Sequence, residues 1–141
     1  PPRPAPPPPP GLAAALCAAM KAHPRVGNLQ WQACRALQLL LAADARTASD
    51  FRKNQGPQCI GEGLKQNTHL PPVLEQYCRV ILLTGTSAVD RNTYCSPALD
   101  CPARLSKLLY VHRQHRGVQF LGRAALAALG RGAGAGAGGG K

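Results

Sequence analysis

Two cysteines and two histidines in the last third of the chain have the side chains that bind zinc. Cys95 and Cys101 are followed by His112 and His115 in the pattern Cys-x5-Cys-x10-His-x2-His. A tetrahedral zinc site takes closely spaced ligand pairs, and this spacing misses the usual zinc-finger pattern in both halves. We interpret the two histidines as polar positions on a basic helix, and the sequence predicts neither a metal ion nor another cofactor.

Residues suited to acid–base or nucleophilic catalysis are sparse. No Gly-rich phosphate-binding loop follows a strand pattern, and each His is distant in sequence from a nucleophile and an acid. A triad assembled in space from distant segments stays open at this level. The sequence predicts that the protein is not an enzyme. The six carboxylates are scattered, with no two on one predicted helix face: Asp44, Asp50, Glu62, Glu75, Asp90 and Asp100.

Recurring arginines indicate binding rather than catalysis. The stretch LQWQACRALQLLL (residues 29–41) resembles VLEQYCRVILLTG (residues 73–85) at an offset of 44 residues. A weaker third copy, VQFLGRAALAALG (residues 118–130), follows at the same offset or with a slip of one residue. We interpret the pattern as an internal repeat, and chance similarity between Ala- and Leu-rich helices is the alternative. The matching polar positions are Lys21 and Lys65, Gln32 and Gln76, and Arg35 and Arg79, with Arg123 in the third copy, and Cys34 matches Cys78.

Helices must position these residues. Gln32, Arg35 and Gln38 fall on one stripe of a 3.6-residue period, and leucines and alanines fall on another, which predicts an amphipathic helix. We expect this helix to begin near Asn28, whose side chain would cap the first free N–H groups, and to end near Asp44.

Glycine and proline mark the other helix ends. We expect a short helical segment to stop at Gly56, and Pro57 to occupy the first turn of the next helix. Pro71 and Pro72 open the second long helix, and residues 101–115 form a further helix before the last one. Each unit then holds a short, a medium and a long helix, and no segment alternates with the two-residue period of a strand.

Three helices in about 44 residues resemble an armadillo repeat, with HEAT repeats as the near alternative. The resemblance rests on the core Gln-x-x-Ala-Cys-x-Ala-Leu (residues 30–37) of the long helix and is weakest in the third unit. It implies an all-α fold, namely a right-handed α-solenoid of about three three-helix repeats. The long helices would line a concave groove that binds an extended peptide or another protein.

The resemblance also assigns residues to the groove. Importin-type repeats hold a Trp and an Asn at positions that here correspond to Arg35 and Leu39, and to Arg79 and Leu83. Arginines there would repel a basic localisation signal, so an acidic partner segment fits the groove better. The expected partner-binding residues are Gln32, Arg35, Leu39, Gln76, Arg79, Leu83 and Arg123.

The composition is basic, and the two ends of the chain differ from its centre. The 17 Lys and Arg oppose 6 Asp and Glu, for a net charge of +11. Residues 1–10 are Pro-rich and residues 131–141 are rich in Gly and Ala, so both segments are expected to be disordered around a helical repeat domain over residues 11–130. Because aromatic residues make up only 4% of the chain, we expect a core of Leu, Ala, Val and Cys.

The six cysteines are expected to be reduced. Cys34 and Cys78 occupy equivalent apolar positions, where Cys packs as a small buried hydrophobe. No export signal is apparent, which favours a cytoplasmic or nuclear protein over an exported, disulfide-bonded one. No stretch approaches the roughly 20 apolar residues that a membrane span requires.

Two functions agree with these features. The first is a non-catalytic protein–protein interaction module, a scaffold that binds an extended and acidic partner segment. The alternative is a basic helical module that binds nucleic acid or anionic lipid surfaces. Separately, Arg3, Pro6 and Pro9 match the Arg-x-x-Pro-x-x-Pro ligand of proline-reading domains. The start at a proline and the small number of repeats lead us to expect a fragment of a larger protein.

Overall fold

The structure, a computed structural model, describes residues 11–138, with side chains described over residues 11–130. All secondary structure within this range is helical, which confirms the predicted all-α class. The helices are α1 (Leu12–Ala22), α2 (Gly27–Ala43), α3 (Arg46–Lys53), α4 (Gly56–Gln66), α5 (Pro71–Thr84), α6 (Ala88–Tyr94), α7 (Cys101–Val111) and α8 (Arg116–Gly138).

Equivalent helices begin at nearly constant intervals. Helices α1, α4 and α7 begin at residues 12, 56 and 101, and helices α2, α5 and α8 begin at residues 27, 71 and 116. The first interval is therefore 44 residues and the second 45, so the third unit carries the one-residue slip. The additional residue falls within residues 95–100, the long connection between α6 and α7.

The long helices pack as one row and the medium helices as a second. Helix α5 lies in the middle of the first row and contacts both α2 and α8. Helix α4 lies in the middle of the second row and contacts α1 and α7. The short helices α3 and α6 connect the two rows, with α3 against α1, α2 and α4, and α6 against α4 and α8. The solenoid description and its handedness stay predictions.

The residues preceding the medium helices share one backbone conformation. Gly11, Gln55 and Asp100, the N-cap residues of α1, α4 and α7, all have positive φ angles, of 87°, 59° and 43°. Only glycine adopts this conformation without steric cost, so Gln55 and Asp100 are strained positions. The turn was expected to use Gly56 for this purpose. Instead Gly56 is the first residue of α4, and a side chain there would overlap the Phe51 ring.

Proline marks the helix starts as predicted, whereas the expected asparagine cap is absent. Pro57 and Pro71 lie in the first turns of α4 and α5. Helix α2 is preceded by Val26 with no side-chain cap, and Asn28 is an exposed residue inside the first turn. The Val26 amide instead donates to the carbonyl oxygen of His23 (3.2 Å) in the preceding turn.

The core contains more aromatic side chains than the composition led us to expect. Phe51, Tyr77 and Tyr94 are completely buried and are the largest of the enclosed residues. Leu, Ile, Val, Ala and Cys side chains fill the space around them. Cys34 and Cys78 are both buried, as their equivalent apolar positions predicted.

The predictions for the two ends fall partly outside the described residues. The disordered Pro-rich segment of residues 1–10, with the motif at Arg3, Pro6 and Pro9, lies outside them entirely. Helix α8 continues to Gly138, and the disorder expected for residues 131–141 stays a prediction.

Candidate partner-binding surface

An exposed stripe runs along each long helix at the same positions. On α2 it contains residues 28, 32, 35, 39 and 42, spaced by three and four residues, so these positions share one helix face. The positions 44 residues later (72, 76, 79 and 83 on α5, and 86 just after it) and 88 residues later on α8 are also exposed, with one exception at Gln76. Because α8 begins 45 residues after α5, the exposed positions on α8 lie one residue earlier in the helix than those on α5.

Arginine occupies the centre of this stripe in each unit. Arg35, Arg79 and Arg123 are all exposed, and they lie on three helices that pack side by side. Leu39 and Leu83 follow one turn later and are 64% and 46% exposed. The stripe thus places a cation and an apolar side chain in adjacent rows across neighbouring helices.

The glutamines of the predicted site have different surroundings. Gln32 is exposed, whereas Gln76 is buried because it lies in the contact between α2 and α5. The side-chain oxygen of Gln76 accepts a hydrogen bond from Gln38 Nε2 (2.7 Å). Gln38 in turn accepts one from Arg35 Nη1 (3.2 Å). Gln76 therefore positions Arg35 through Gln38. Gln76 itself is buried and does not belong to the exposed surface.

The three arginines of the stripe have no acidic partner among the described residues. The ion pairs there join Arg46 to Asp44 (2.9 Å) and Arg52 to the buried Asp90 (3.0 Å). Glu75 lies 3.8 Å from a ring nitrogen of His115. None of the three arginines therefore forms an ion pair within the described residues, although Glu75 lies one helical turn before Arg79 on α5.

The end of the stripe on α8 carries features that the sequence reasoning missed. Phe120 is 75% exposed and lies 44 residues after Gln76, one residue earlier in its helix than Gln76 is in α5. With Arg113, Arg116 and Arg123 it lines an open cavity of about 540 Å³. Phe120 lies 44 residues after Gln76, but the third copy is too weak in sequence to predict that this side chain is exposed.

A buried hydrogen-bond network fixes the long helices relative to the medium ones. Tyr77 Oη donates to Gln30 Oε1 (2.7 Å) and accepts from Asn67 Nδ2 (3.0 Å). Asn67 Nδ2 also lies 2.8 Å from the carbonyl oxygen of Pro24, in the preceding unit. Buried polar groups are costly unless they are paired. The network therefore specifies how α2, α4 and α5 sit together, and with them the spacing of the arginines.

The zinc pattern finds no support in the geometry of the described residues. Within residues 11–130, no group of three or more His, Cys, Asp or Glu side chains is arranged to hold a metal ion. His112 Nε2 lies 2.6 Å from the carbonyl oxygen of Thr68, and His115 Nδ1 accepts from the Val118 amide (3.2 Å). Both histidines thus make contacts at the ends of helices. Among the described helices, none is both long enough and apolar enough to cross a membrane.

Comparisons with known proteins give no family for this chain. No protein-family model, no curated protein and no solved structure matches it. The class that the structure itself defines is an all-helical protein in which the medium helices and the long helices each begin at intervals of 44 and 45 residues.

Proposed function

We propose that the protein is a non-catalytic protein–protein interaction module of armadillo-like architecture. In this proposal the row formed by α2, α5 and α8 binds an extended, acidic segment of a partner protein. The partner would lie across the three helices rather than along one of them. Equivalent positions on packed helices are about 10 Å apart, so an extended chain spans one interval with roughly three residues.

The observation that carries this proposal is the row of Arg35, Arg79 and Arg123. Their positions are exposed on side-by-side helices, and no described carboxylate neutralises them. Guanidinium groups bind carboxylates through two parallel hydrogen bonds, which gives both strength and orientation. A row of arginines that lacks internal partners therefore favours an external chain with regularly spaced acidic side chains.

Apolar residues beside the arginines support a peptide as the occupant. Leu39 and Leu83 are exposed although they belong to otherwise amphipathic helices. Exposed apolar groups next to charges are typical of binding surfaces, where an apolar core is surrounded by a polar rim. A segment that alternates acidic and small apolar residues would satisfy both rows.

Charge reversal on the stripe tests the proposal. The probe is a fluorescein-labelled peptide of alternating Glu and Ala, and its affinity is measured by fluorescence anisotropy. The double substitution Arg35→Glu and Arg79→Glu should weaken binding by about tenfold or more, which is equivalent to about 1.4 kcal/mol. The melting temperature should remain nearly unchanged, because exposed charges contribute only about 0–1 kcal/mol each to stability.

The matched control places the same change of charge on the other row of helices. Lys65→Glu and Lys107→Glu alter exposed residues of α4 and α7 and change the net charge equally. This variant should retain most of the affinity. Equal losses in the two folded variants would show that binding follows total charge, and would remove the assignment of the stripe.

A second candidate function is binding of single-stranded nucleic acid, favoured by the end of the stripe on α8. There the exposed ring of Phe120 stands among Arg113, Arg116 and Arg123. Aromatic rings stack on bases, and arginines neutralise phosphates. A labelled oligonucleotide should then bind with an affinity that falls steeply with salt, and Phe120→Ala should weaken it. Binding of the acidic peptide with a shallow salt dependence favours the first function.

A further inference from the structure

The cysteines of the described structure are all free, but they do not share one environment. Cys34 and Cys78 are buried in the core, and burial raises the pKa of both thiols, that of Cys78 to about 12. Such cysteines stay protonated near neutral pH and react slowly. They are structural residues, consistent with their equivalent apolar positions.

Cys59, on α4, has different surroundings. As a thiol it donates to the carbonyl oxygen of Cys17 on α1, with an Sγ–O distance of 3.6 Å. As a thiolate it accepts a hydrogen bond from the Cys17 thiol, which lowers the pKa of Cys59; burial opposes this shift, and the nearby Lys21 ammonium adds to it. The same interaction, together with burial, raises the pKa of Cys17, so that Cys17 keeps its proton.

The two thiols also differ in access from solvent. Cys17 has no exposed surface, whereas Cys59, buried but 6% exposed, lines an open cavity of about 400 Å³. Lys21, Gln55 and Glu62 surround the mouth of this cavity. A small oxidant can therefore reach Cys59 before Cys17, which lies on the neighbouring helix and does not line the cavity.

We propose that Cys17 and Cys59 form a peroxide-sensitive pair, in which Cys59 is the reacting thiol and Cys17 the resolving one. Hydrogen peroxide would transfer one oxygen to the Cys59 thiolate, giving a sulfenic acid and releasing hydroxide. The Cys17 thiolate, formed as its proton passes to the leaving oxygen, would then attack the Cys59 sulfur and expel water. The balance is two thiols and one peroxide converted to one disulfide and two waters.

The product would join the first and second units of the fold. Helix α1 would be linked covalently to α4, and the cross-link would close residues 17–59 into a loop. Closing a loop of this length restricts the unfolded chain and stabilises the folded one. Oxidation would therefore make the first interhelix junction harder to open, without contact with the proposed partner-binding stripe.

Peptide mapping of the intact chain tests the pair directly. The protein is treated with one equivalent of hydrogen peroxide, its remaining thiols are alkylated, and it is digested with trypsin without reduction. Cleavage after Lys and Arg places Cys17, Cys34, Cys59 and Cys78 on separate peptides. We expect a linked species joining the peptide with Cys17 to residues 54–65, and a melting temperature several degrees higher that returns to its starting value on reduction.

Variants separate this pair from the nearby core cysteine. Cys59→Ser should abolish both the linked peptide and the thermal shift, while Cys34→Ala should preserve them. In Cys17→Ser, Cys59 should be recovered as a sulfenic acid trapped by dimedone. A link from Cys59 to Cys34, oxidation of Cys95 before Cys59, or an unlinked sulfinic acid at Cys59 in the unmodified sequence would each overturn the proposal. These outcomes are read on the unmodified chain, so they do not depend on a variant that folds.

Discussion

The first and third helix pairs are held by the same side-chain contact, whereas the second pair uses a different one. In the first pair, Gln30 Nε2 donates to the carbonyl oxygens of Met20 (3.1 Å) and His23 (3.0 Å). In the third pair, Gln119 Nε2 donates to those of Leu109 (2.8 Å) and His112 (3.1 Å). All three positions of the contact recur 89 residues apart, which is one interval of 44 plus one of 45.

In the second helix pair, the residue that bonds the end of the medium helix comes from that helix and not from the long one. Leu74 stands at the position of the glutamine, so no side chain from α5 reaches the end of α4 in that way. Asn67, the C-cap of α4, instead donates to the carbonyl oxygen of Gly63 (3.3 Å) and to Tyr77. The free carbonyl groups at a helix end need partners, and either arrangement supplies them. In each pair a side-chain amide bonds the carbonyl groups at the end of the medium helix, but the residue that supplies it differs.

The two glutamines also differ in what depends on them. Gln30 is buried and gives its oxygen to Tyr77, so it belongs to the network between the first and second units. Gln119 is partly exposed and bonds only to the turn beneath it. The contact of Gln30 is consequently part of a buried polar network between two units, whereas the contact of Gln119 is local to the turn between α7 and α8. Substitutions should therefore cost most where the network is densest.

The largest effect is expected at Gly63, which lies against the ring of Tyr77. A Cβ atom at this position would overlap the ring, and neither the helix backbone nor the buried tyrosine can move freely. Gly63→Ala should lower the free energy of unfolding by about 2–3 kcal/mol, because overpacking outweighs the helix propensity gained. Chemical denaturation followed by circular dichroism measures this change.

Gly130→Ala is the matched control for that substitution. Nothing lies within 4 Å of a Cβ built on Gly130, which also belongs to a helix. This variant should be as stable as the parent or more stable, by up to about 1 kcal/mol. A Gly63→Ala protein of parental stability would mean that Tyr77 does not pack there.

The second effect is expected at Gln30. Gln30→Leu places in the first pair the side chain that the second pair has naturally. It removes the hydrogen bonds to the carbonyl oxygens of Met20 and His23 and the acceptor of the Tyr77 hydroxyl, while the His23 oxygen keeps the Val26 amide and the Tyr77 hydroxyl keeps Asn67. Unpaired buried groups cost about 1–3 kcal/mol, so unfolding free energy should fall by about 1–2 kcal/mol. The same substitution at the exposed Gln32 of the same helix should change it by less than about 0.5 kcal/mol.

Much of the helical framework could be predicted from the sequence, because local signals decide it. Pro57 and Pro71 mark helix starts, and the 3.6-residue pattern separates exposed Arg35 from buried Cys34. The sequence did not decide between a second interval of 44 and one of 45 residues, because the additional residue lies in a connection without a repeated pattern. Hydrophobic matches were insensitive to a slip of one residue.

The parts of the candidate site that escaped prediction depend on contacts between distant helices. Gln76 looks like a surface residue in the sequence, yet it is buried because α2 brings Gln38 against it. Gln30 looks equally polar and is buried for the same kind of reason. Tyr77 was not expected in the core, because a low aromatic content says nothing about where the few aromatic residues lie. Exposure of the arginines followed from helix periodicity alone.

The smallest effect is expected at Gln119, where the contact is local and partly open to water. Gln119→Leu removes the hydrogen bonds to the carbonyl oxygens of Leu109 and His112, but solvent can replace a partner that is not fully enclosed. The unfolding free energy should therefore fall by less than about 1 kcal/mol, clearly less than for Gln30→Leu. Parallel denaturation curves of the two variants measure the difference. Equal losses at both positions would show that the turn contact, and not the network through Tyr77, determines the stability of the first junction.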